Sequence, residues 1–437
     1  MGRRRLQARH LRLKAQGVGR RAWTVVTLAA AVACGPTTRA PATSAAPATH
    51  VDESAQAAAL GVSPAALRLH RRALVLDTHI DTPQRLAFEE HFDLAARQPN
   101  GHVDIPRMRE GGLDAAFFSI WFPGTVTGPA AVRRALGLID EVREAVRANA
   151  RDLTLATSAA DIRRANADGK IAILLGMEGG HMIDDDLRLL RTYAALGVRY
   201  LTLTHSRHTN WADSSGQTPA THGGLTPFGR EVVMELNRLG VMVDVSHVSD
   251  ETFEDALAVS RAPMIASHSS CRAISNNARN MTDDMLRAIA AKGGVVMINY
   301  HVPFLSEGFR VGALEAGVVA KTQAANKACG DDESCAILAV GELNRSLMQS
   351  GALPRVSWDA IVDHIDHAVK VAGVDHVGLG SDFDGATMPL GMDDVSRLPR
   401  LTDGLLKRGY SEANVEKILG GNFLRVMERV EAVRDGR

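Results

Sequence analysis

Short apolar runs alternate with longer amphipathic stretches from about Leu67 to the end of the chain. A run that is apolar at nearly every position suits a strand buried on both faces, and a 3.6-residue periodicity suits a helix laid over a sheet. Eight runs fit the first description: Ala73–Thr78, Ala115–Trp121, Ile171–Met177, Arg199–Thr204, Val241–Ser246, Met264–Ser267, Val295–Tyr300 and His376–Gly380. Helical periodicity lies between them, as in Pro129–Ala148, Leu187–Leu196, Pro227–Leu239, Asp250–Val259, Asp283–Ala291 and Trp358–Ala372. Eight strands alternating with helices predict an α/β fold, a (β/α)8 TIM barrel, which needs roughly 250 residues. The surplus falls in an insertion after the seventh run, about residues 302 to 355, and in extra C-terminal helices reaching Val430.

The amino-terminal region breaks this pattern. Arg3, Arg4, Arg5, Arg20 and Arg21 lead into an apolar run, Ala22 to Ala33, which is short for a bilayer span but suits the centre of an export signal. The sequence Ala31-Val32-Ala33-Cys34 fits two kinds of processing: cleavage after Ala-x-Ala, or a bacterial lipobox with lipid added at Cys34. Both imply export to the cell envelope or periplasm, the second as a membrane-anchored lipoprotein. The tract after Cys34 has the composition of a flexible tether. The chain thus divides into an export signal (1–34), a linker (35–65) and a barrel domain (66–437).

Composition narrows the partners. Fifty basic and 50 acidic side chains give a formal net charge of zero, which favours neither nucleic acid nor an anionic membrane as partner. A small uncharged or zwitterionic ligand fits better. In an exported protein Cys329 and Cys335, close together in a polar segment, are expected to pair as a disulfide, leaving Cys271 as a free thiol.

Barrel enzymes keep their chemistry at the C-terminal ends of the strands. The first run leads into His79 and Asp81, and residues two apart on a strand project to the same side. The third ends in Glu178-Gly179-Gly180, the fourth at His205, the fifth at His247, the sixth at His268, and the eighth leads into Asp382. Any one of these taken alone reads as a hydrogen-bonded structural residue. Six strand ends carrying His, Asp or Glu point to a common task. His70, His91, His364, His367 and His376 lie in helical stretches or ahead of a strand and are read as structural; Asp384 is read as a turn former, and His181 either as support for the rim or as part of a turn.

His79, Asp81, Glu178, His247 and His268 offer more donors than one tetrahedral zinc needs with a position left open. Sharing one carboxylate gives a pair of ions about 3.5–4 Å apart. Glu178 is the candidate bridge, with His79 and Asp81 on one ion and His247 and His268 on the other. A hydroxide held between the ions would be the nucleophile, and Asp382 could pass a proton from it to a leaving amine. With no thiolate in the set, zinc is favoured, cobalt and manganese being the alternatives.

These residues resemble the renal, or membrane, dipeptidase family of the amidohydrolase superfamily. The resemblance runs from about Val75 to Val430 through Thr78-His79-Ile80-Asp81, Asp104-Ile105-Pro106, Gly176-Met177-Glu178-Gly179-Gly180-His181, Tyr200-Leu201-Thr202-Leu203-Thr204-His205-Ser206, Trp211-Ala212-Asp213, Asp244-Val245-Ser246-His247-Val248, Ser267-His268-Ser269-Ser270, Arg279-Asn280 and Gly380-Ser381-Asp382-Phe383-Asp384-Gly385. It implies two Zn2+ ions on His79, Asp81, Glu178, His247 and His268 with Glu178 bridging, and Asp382 as proton shuttle. It further implies His205 as the group that stabilises the tetrahedral intermediate, and Arg279 as the partner of the substrate's terminal carboxylate. The implied reaction is hydrolysis of dipeptides, L-Xaa-L-Xaa and in some members L-Xaa-D-Xaa, by a chain that by analogy forms a homodimer. Phe304 stands where animal members carry a side-pocket tyrosine.

Two other readings compete. Another binuclear amidohydrolase could act on an N-acyl amino acid, a lactone or a β-lactam, although Arg279 favours a substrate with a terminal carboxylate. A non-catalytic exported binding lipoprotein would have no use for a carboxylate such as Asp382 left off the ions.

Overall fold

The computed structural model describes residues 53–434 apart from 331, so the export signal and residues 35–52 of the linker lie outside the described residues. Among the described residues nine parallel strands run in chain order as β1 (Leu76–Ile80), β2 (Ala115–Ile120), β3 (Leu153–Leu155), β4 (Ile171–Glu178), β5 (Val198–Thr202), β6 (Met242–Asp244), β7 (Ile265–Ala266), β8 (Val295–Ile298) and β9 (Val377–Leu379). Eight of them neighbour one another in the order β1-β2-β4-β5-β6-β7-β8-β9, and β3 lies off this path against β4. The ring is drawn shut by a bridge between Ile80 and Phe383 and by the bonds Asp81 N–H to Phe383 O (2.8 Å) and Asp382 N–H to His79 O (2.9 Å). The expected TIM barrel is therefore present. The eight expected strands are the barrel strands, and β3 is an addition too short to stand out from its surroundings.

Successive strand residues alternate between two buried layers, as the pleat requires. Leu76, Phe117, Leu174, Tyr200, Met242, Ile265 and Val295 fill the barrel interior, while Phe118, Leu175, Leu201, Val243, Ala266 and Val296 pack outward against the helices. Burial on both faces explains why the strands read as unbroken apolar runs. The floor is closed by the helix Asn422–Val433, whose Phe423, Leu424 and Met427 join the interior cluster, Phe423 meeting Phe117 edge-on at 5.3 Å. Asn422 fixes this helix by donating to the carbonyls of Val374 (2.7 Å) and Val377 (2.8 Å), just ahead of and at the start of β9.

The insertion after β8 folds into the helices Val302–Leu305, Glu307–Glu315, Val318–Cys329 and Glu333–Gln349. A disulfide between Cys329 and Cys335 joins the last two, as expected. The insertion lies across the rim, with Ser334 Oγ donating to Glu89 (2.5 Å) and Asn344 Nδ2 to Thr387 Oγ1 (3.0 Å).

Residues 53–65, expected within the linker, are folded instead. They form the helix Glu53–Leu60 and lead into Pro64–Arg72, with Ala57 and Val62 buried, while Ser63 N–H and Oγ–H both donate to Asp403 (2.9 and 2.7 Å). Alanine makes this tract look like a tether by composition, yet alanine is also the strongest helix former.

Candidate metal centre

The strand ends bring the expected residues to one place. His79 lies inside β1 with Asp81 just beyond its end, Glu178 closes β4, and His205, His247, His268 and Asp382 follow β5, β6, β7 and β9 by two or three residues. His79 Nε2 is 3.4 Å from Asp81 Oδ1 and 3.4 Å from Glu178 Oε2. The other oxygen of Glu178, Oε1, lies 2.7 Å from His247 Nε2, 3.2 Å from His268 Nε2 and 3.7 Å from His205 Nε2. One carboxylate thus faces His79 with one oxygen and the imidazoles that follow β6 and β7 with the other. Among the described residues, three overlapping groups bring their ligand atoms within 4.8 Å of one another: His79, Glu178 and His268; Glu178, His205 and His247; and His79, Asp81 and Asp382.

The donor chemistry fits divalent cations. His79 Nε2 and Asp81 Oδ1 are buried without a hydrogen-bond partner, a rare state for buried polar atoms. Both face the point where a cation would sit. Burial pushes the Asp81 carboxyl well above its usual value, with His79 opposing and the Asp382 and Glu178 charges adding to the rise. A positive ion would relieve that conflict. Burial also lowers His268 to about 4, which keeps its ring neutral, the form that binds metal.

Supporting contacts aim the rings. Ser267 Oγ donates its single proton to Asp244 (2.6 Å), so at 2.7 Å it accepts from His268 Nδ1–H, and the lone pair of Nε2 points inward. His79 Nδ1 pairs with the Tyr200 hydroxyl at 2.8 Å. Tyr200 reaches it only because residue 176 is glycine, where a Cβ would collide with the phenol ring. Gly385 likewise leaves room for the Asp81 carboxylate. His247 and Asp382 hold left-handed backbones, with φ of 67° and 68°. Strain of this kind persists where surrounding contacts over-determine the chain, as at functional sites.

Asp382 stands beside the cluster and accepts from Asn299 Nδ2 (2.9 Å). Burial raises its carboxyl, but the His268 and His79 rings outweigh that and hold it below its usual range. The Arg279 guanidinium donates to Ser269 Oγ (3.2 Å) and His268 O (3.1 Å), lies 5.4 Å from the Phe304 ring, and keeps its Nε–H buried and unpaired. Burial draws it down to about 10, so it stays charged at neutral pH. His205 lies under Trp121 (5.4 Å) and against His247 (4.7 Å), and burial lowers its pKa. Asp81, Glu178, His205, His247, His268, Arg279, Phe304 and Asp382 all line one cavity of about 180 Å3.

Several residues stand elsewhere. His181 sits in the 3-10 turn Gly180–Ile183, edge-on to Phe122. Asp384 is more than a turn former: it is buried and accepts from Thr82 Oγ1 (2.7 Å) and His102 N–H (2.5 Å), tying the β9 loop to the segment after β1. The Cys271 thiol is buried against the His364 carbonyl and pushed up to about 12 by burial, so it is chemically quiet. His91 occupies an exposed turn with φ 73° rather than a helix. Sequence reasoning assigned no role to Tyr200, Ser267, Asn299 or Trp121. A tyrosine on the interior face of an otherwise apolar strand was the available signal for Tyr200.

Fold and site together define a metal-dependent hydrolase of the barrel type. The whole barrel, residues 64–437, matches the membrane dipeptidase family, peptidase family M19, and the chain belongs to it. It is 35% identical to dipeptidase 3 of Rattus norvegicus over 383 residues, which is 85% of this chain and 68% of the relative. Among solved structures it resembles the probable dipeptidase PvdM of Pseudomonas aeruginosa (31% identity, TM-score 0.68, 84% of this chain and 98% of that one). It also resembles a metallo peptidase of Rhodobacter sphaeroides bound to a phosphinate mimic of L-Ala-D-Ala (29% identity, TM-score 0.67, 82% and 99%).

Proposed function

We propose that the protein is an exported, zinc-dependent dipeptidase that holds two ions at the barrel rim. The observation that carries this reading is the division of Glu178, with Oε2 toward His79 and Oε1 toward His247 and His268. His79 and Asp81 would hold one ion and His247 and His268 the other, with Glu178 shared. Bound there, two divalent ions supply Lewis acidity and lower the pKa of water. Asp382, held by Asn299 and ionised at neutral pH, would take a proton from the attacking water and return it to the leaving amine. His205 offers a neutral N–H donor for the carbonyl oxygen as charge develops there. Arg279, positioned by Ser269 and backed by Phe304, grips the substrate's terminal carboxylate through its planar fork.

The basic lead-in, the apolar run and Cys34 support export with a lipid tether. Among the described residues no helix is long and apolar enough to cross a membrane. The L-Ala-D-Ala mimic bound by the Rhodobacter sphaeroides relative supports a D-residue at the C-terminal position of the substrate.

Steady-state rates on L-Xaa-L-Xaa and L-Xaa-D-Xaa panels, with zinc measured on the same preparation, test the assignment. Turnover proportional to zinc content is expected. No turnover by zinc-loaded protein would make binding the better account. Arg279→Ala should raise KM for dipeptides about a hundredfold and leave a substrate without a terminal carboxylate unaffected.

A further inference from the structure

Beside the catalytic cavity lies a second, larger one of about 510 Å3, and the two share Trp121, His301, Gly385 and Ala386 as a common border. One wall is the segment from Trp121 to Val126 after β2. The other is the insertion helix Glu333–Gln349, which presents Ala336, Ile337 and Val340, spaced to lie on one helical face. The only charged residue among its described lining is Arg134, whose guanidinium lies over the Phe88 and Phe122 rings. The insertion wall is held in place: the Cys329–Cys335 disulfide closes the turn ahead of the helix, Ser334 bonds Glu89, and Asn344 bonds Thr387.

Placement decides which end of a substrate would enter. Arg279 follows β7, and in the ring order β7 stands opposite β2. Neither Arg279 nor Phe304 borders the larger cavity. A dipeptide with its carboxylate on Arg279 and its peptide bond at the ion cluster therefore points its N-terminal residue toward Trp121 and the insertion helix. The cavity's volume falls in the range of pockets that bury drug-sized ligands, about 300–1,000 Å3. It exceeds the catalytic cavity nearly threefold.

We propose that this cavity, walled by Val126 on one side and Ile337 and Val340 on the other, is the specificity pocket for the N-terminal residue. It would select dipeptides whose N-terminal side chain is large and apolar, including groups bulkier than the standard aromatic residues. This inference rests on the dipeptidase reading above and deepens it by naming the substrate class.

The test compares L-alanyl-L-alanine, L-phenylalanyl-L-alanine and L-(4-phenyl)phenylalanyl-L-alanine on the zinc-loaded full chain. With the wild type, KM should fall along that series. Ile337→Trp fills the pocket and should raise KM for the biphenyl substrate about tenfold or more, with kcat and KM for L-alanyl-L-alanine within about twofold. Val126→Trp does the same from the facing wall if the first variant folds poorly. A wild type that discriminates against the biphenyl substrate, or variants that affect all three substrates alike, overturn the proposal while leaving the dipeptidase reading intact. Absence of turnover on every substrate overturns both.

Discussion

His70 and His79 are close in sequence, yet they stand at opposite ends of the barrel and in opposite chemical states. His70 belongs to the helix that precedes β1, on the floor side. Its Nε2 bonds Gly111 O and its Nδ1 bonds Thr402 Oγ1, both at 2.7 Å, so the neutral ring is fully satisfied by protein. His79 has one nitrogen on Tyr200 and the other buried with no hydrogen-bond partner, among carboxylates. The contrast extends to the ends themselves. The floor is apolar, closed by Phe423 and its neighbours. The rim crowds imidazoles and carboxylates onto strained backbone. The His70 ring has its bonds completed by protein, whereas His79 keeps a nitrogen open toward carboxylates, as the proposed ion site requires.

If this contrast holds, substitutions at the two ends should move different quantities. The largest effect belongs to Asp382→Asn, expected to lower kcat by about a thousandfold. Zinc content should be retained and Tm unchanged or raised, and calorimetry together with metal analysis separates these outcomes. Phe423→Ala at the floor should cost about 3–5 kcal/mol of stability by denaturant unfolding, with kcat/KM of the folded fraction within about twofold.

His70 supplies a pH test of the floor. Burial lowers its pKa from 6.5 to about 4 in the folded state. A pKa depressed by folding means that the native state excludes the proton. The stabilisation is therefore complete above the unfolded value and is lost as pH falls from 6.5 toward 4, by roughly 3 kcal/mol in all. His70→Gln should flatten that part of the stability profile. Tyr200→Phe leaves packing intact and removes only the bond that orients His79, so it should weaken zinc affinity about tenfold. A loss of stability without any change in zinc affinity would place Tyr200 with the floor instead.

Much of this arrangement was legible in the chain. Eight doubly buried runs alternating with helices suggested the barrel, and His79, Asp81, Glu178, His247, His268 and Asp382 were visible because each follows or ends such a run. The supporting contacts were not. Ser267 and Asn299 are small polar residues whose roles depend on partners brought from elsewhere in the barrel, Asp244 and Asp382, so the local sequence does not reveal those roles. The fold of residues 53–65 was hidden because alanine suits both a tether and a helix, and the burial of Ala57 and Val62 with the contact to Asp403 decides between them. The larger cavity was hidden for a similar reason. Its wall is an insertion whose own periodicity says nothing about where it docks.

The central claim is that Glu178 is shared between two ions, and metal stoichiometry tests it most directly. Zinc titrated into metal-free protein and followed by calorimetry, with elemental analysis of the purified complex, should give two equivalents per chain in the wild type. In Glu178→Gln it should give fewer than two tightly held equivalents, with the fold intact by circular dichroism. A single equivalent in the wild type, or two undiminished equivalents in Glu178→Gln, would contradict the account.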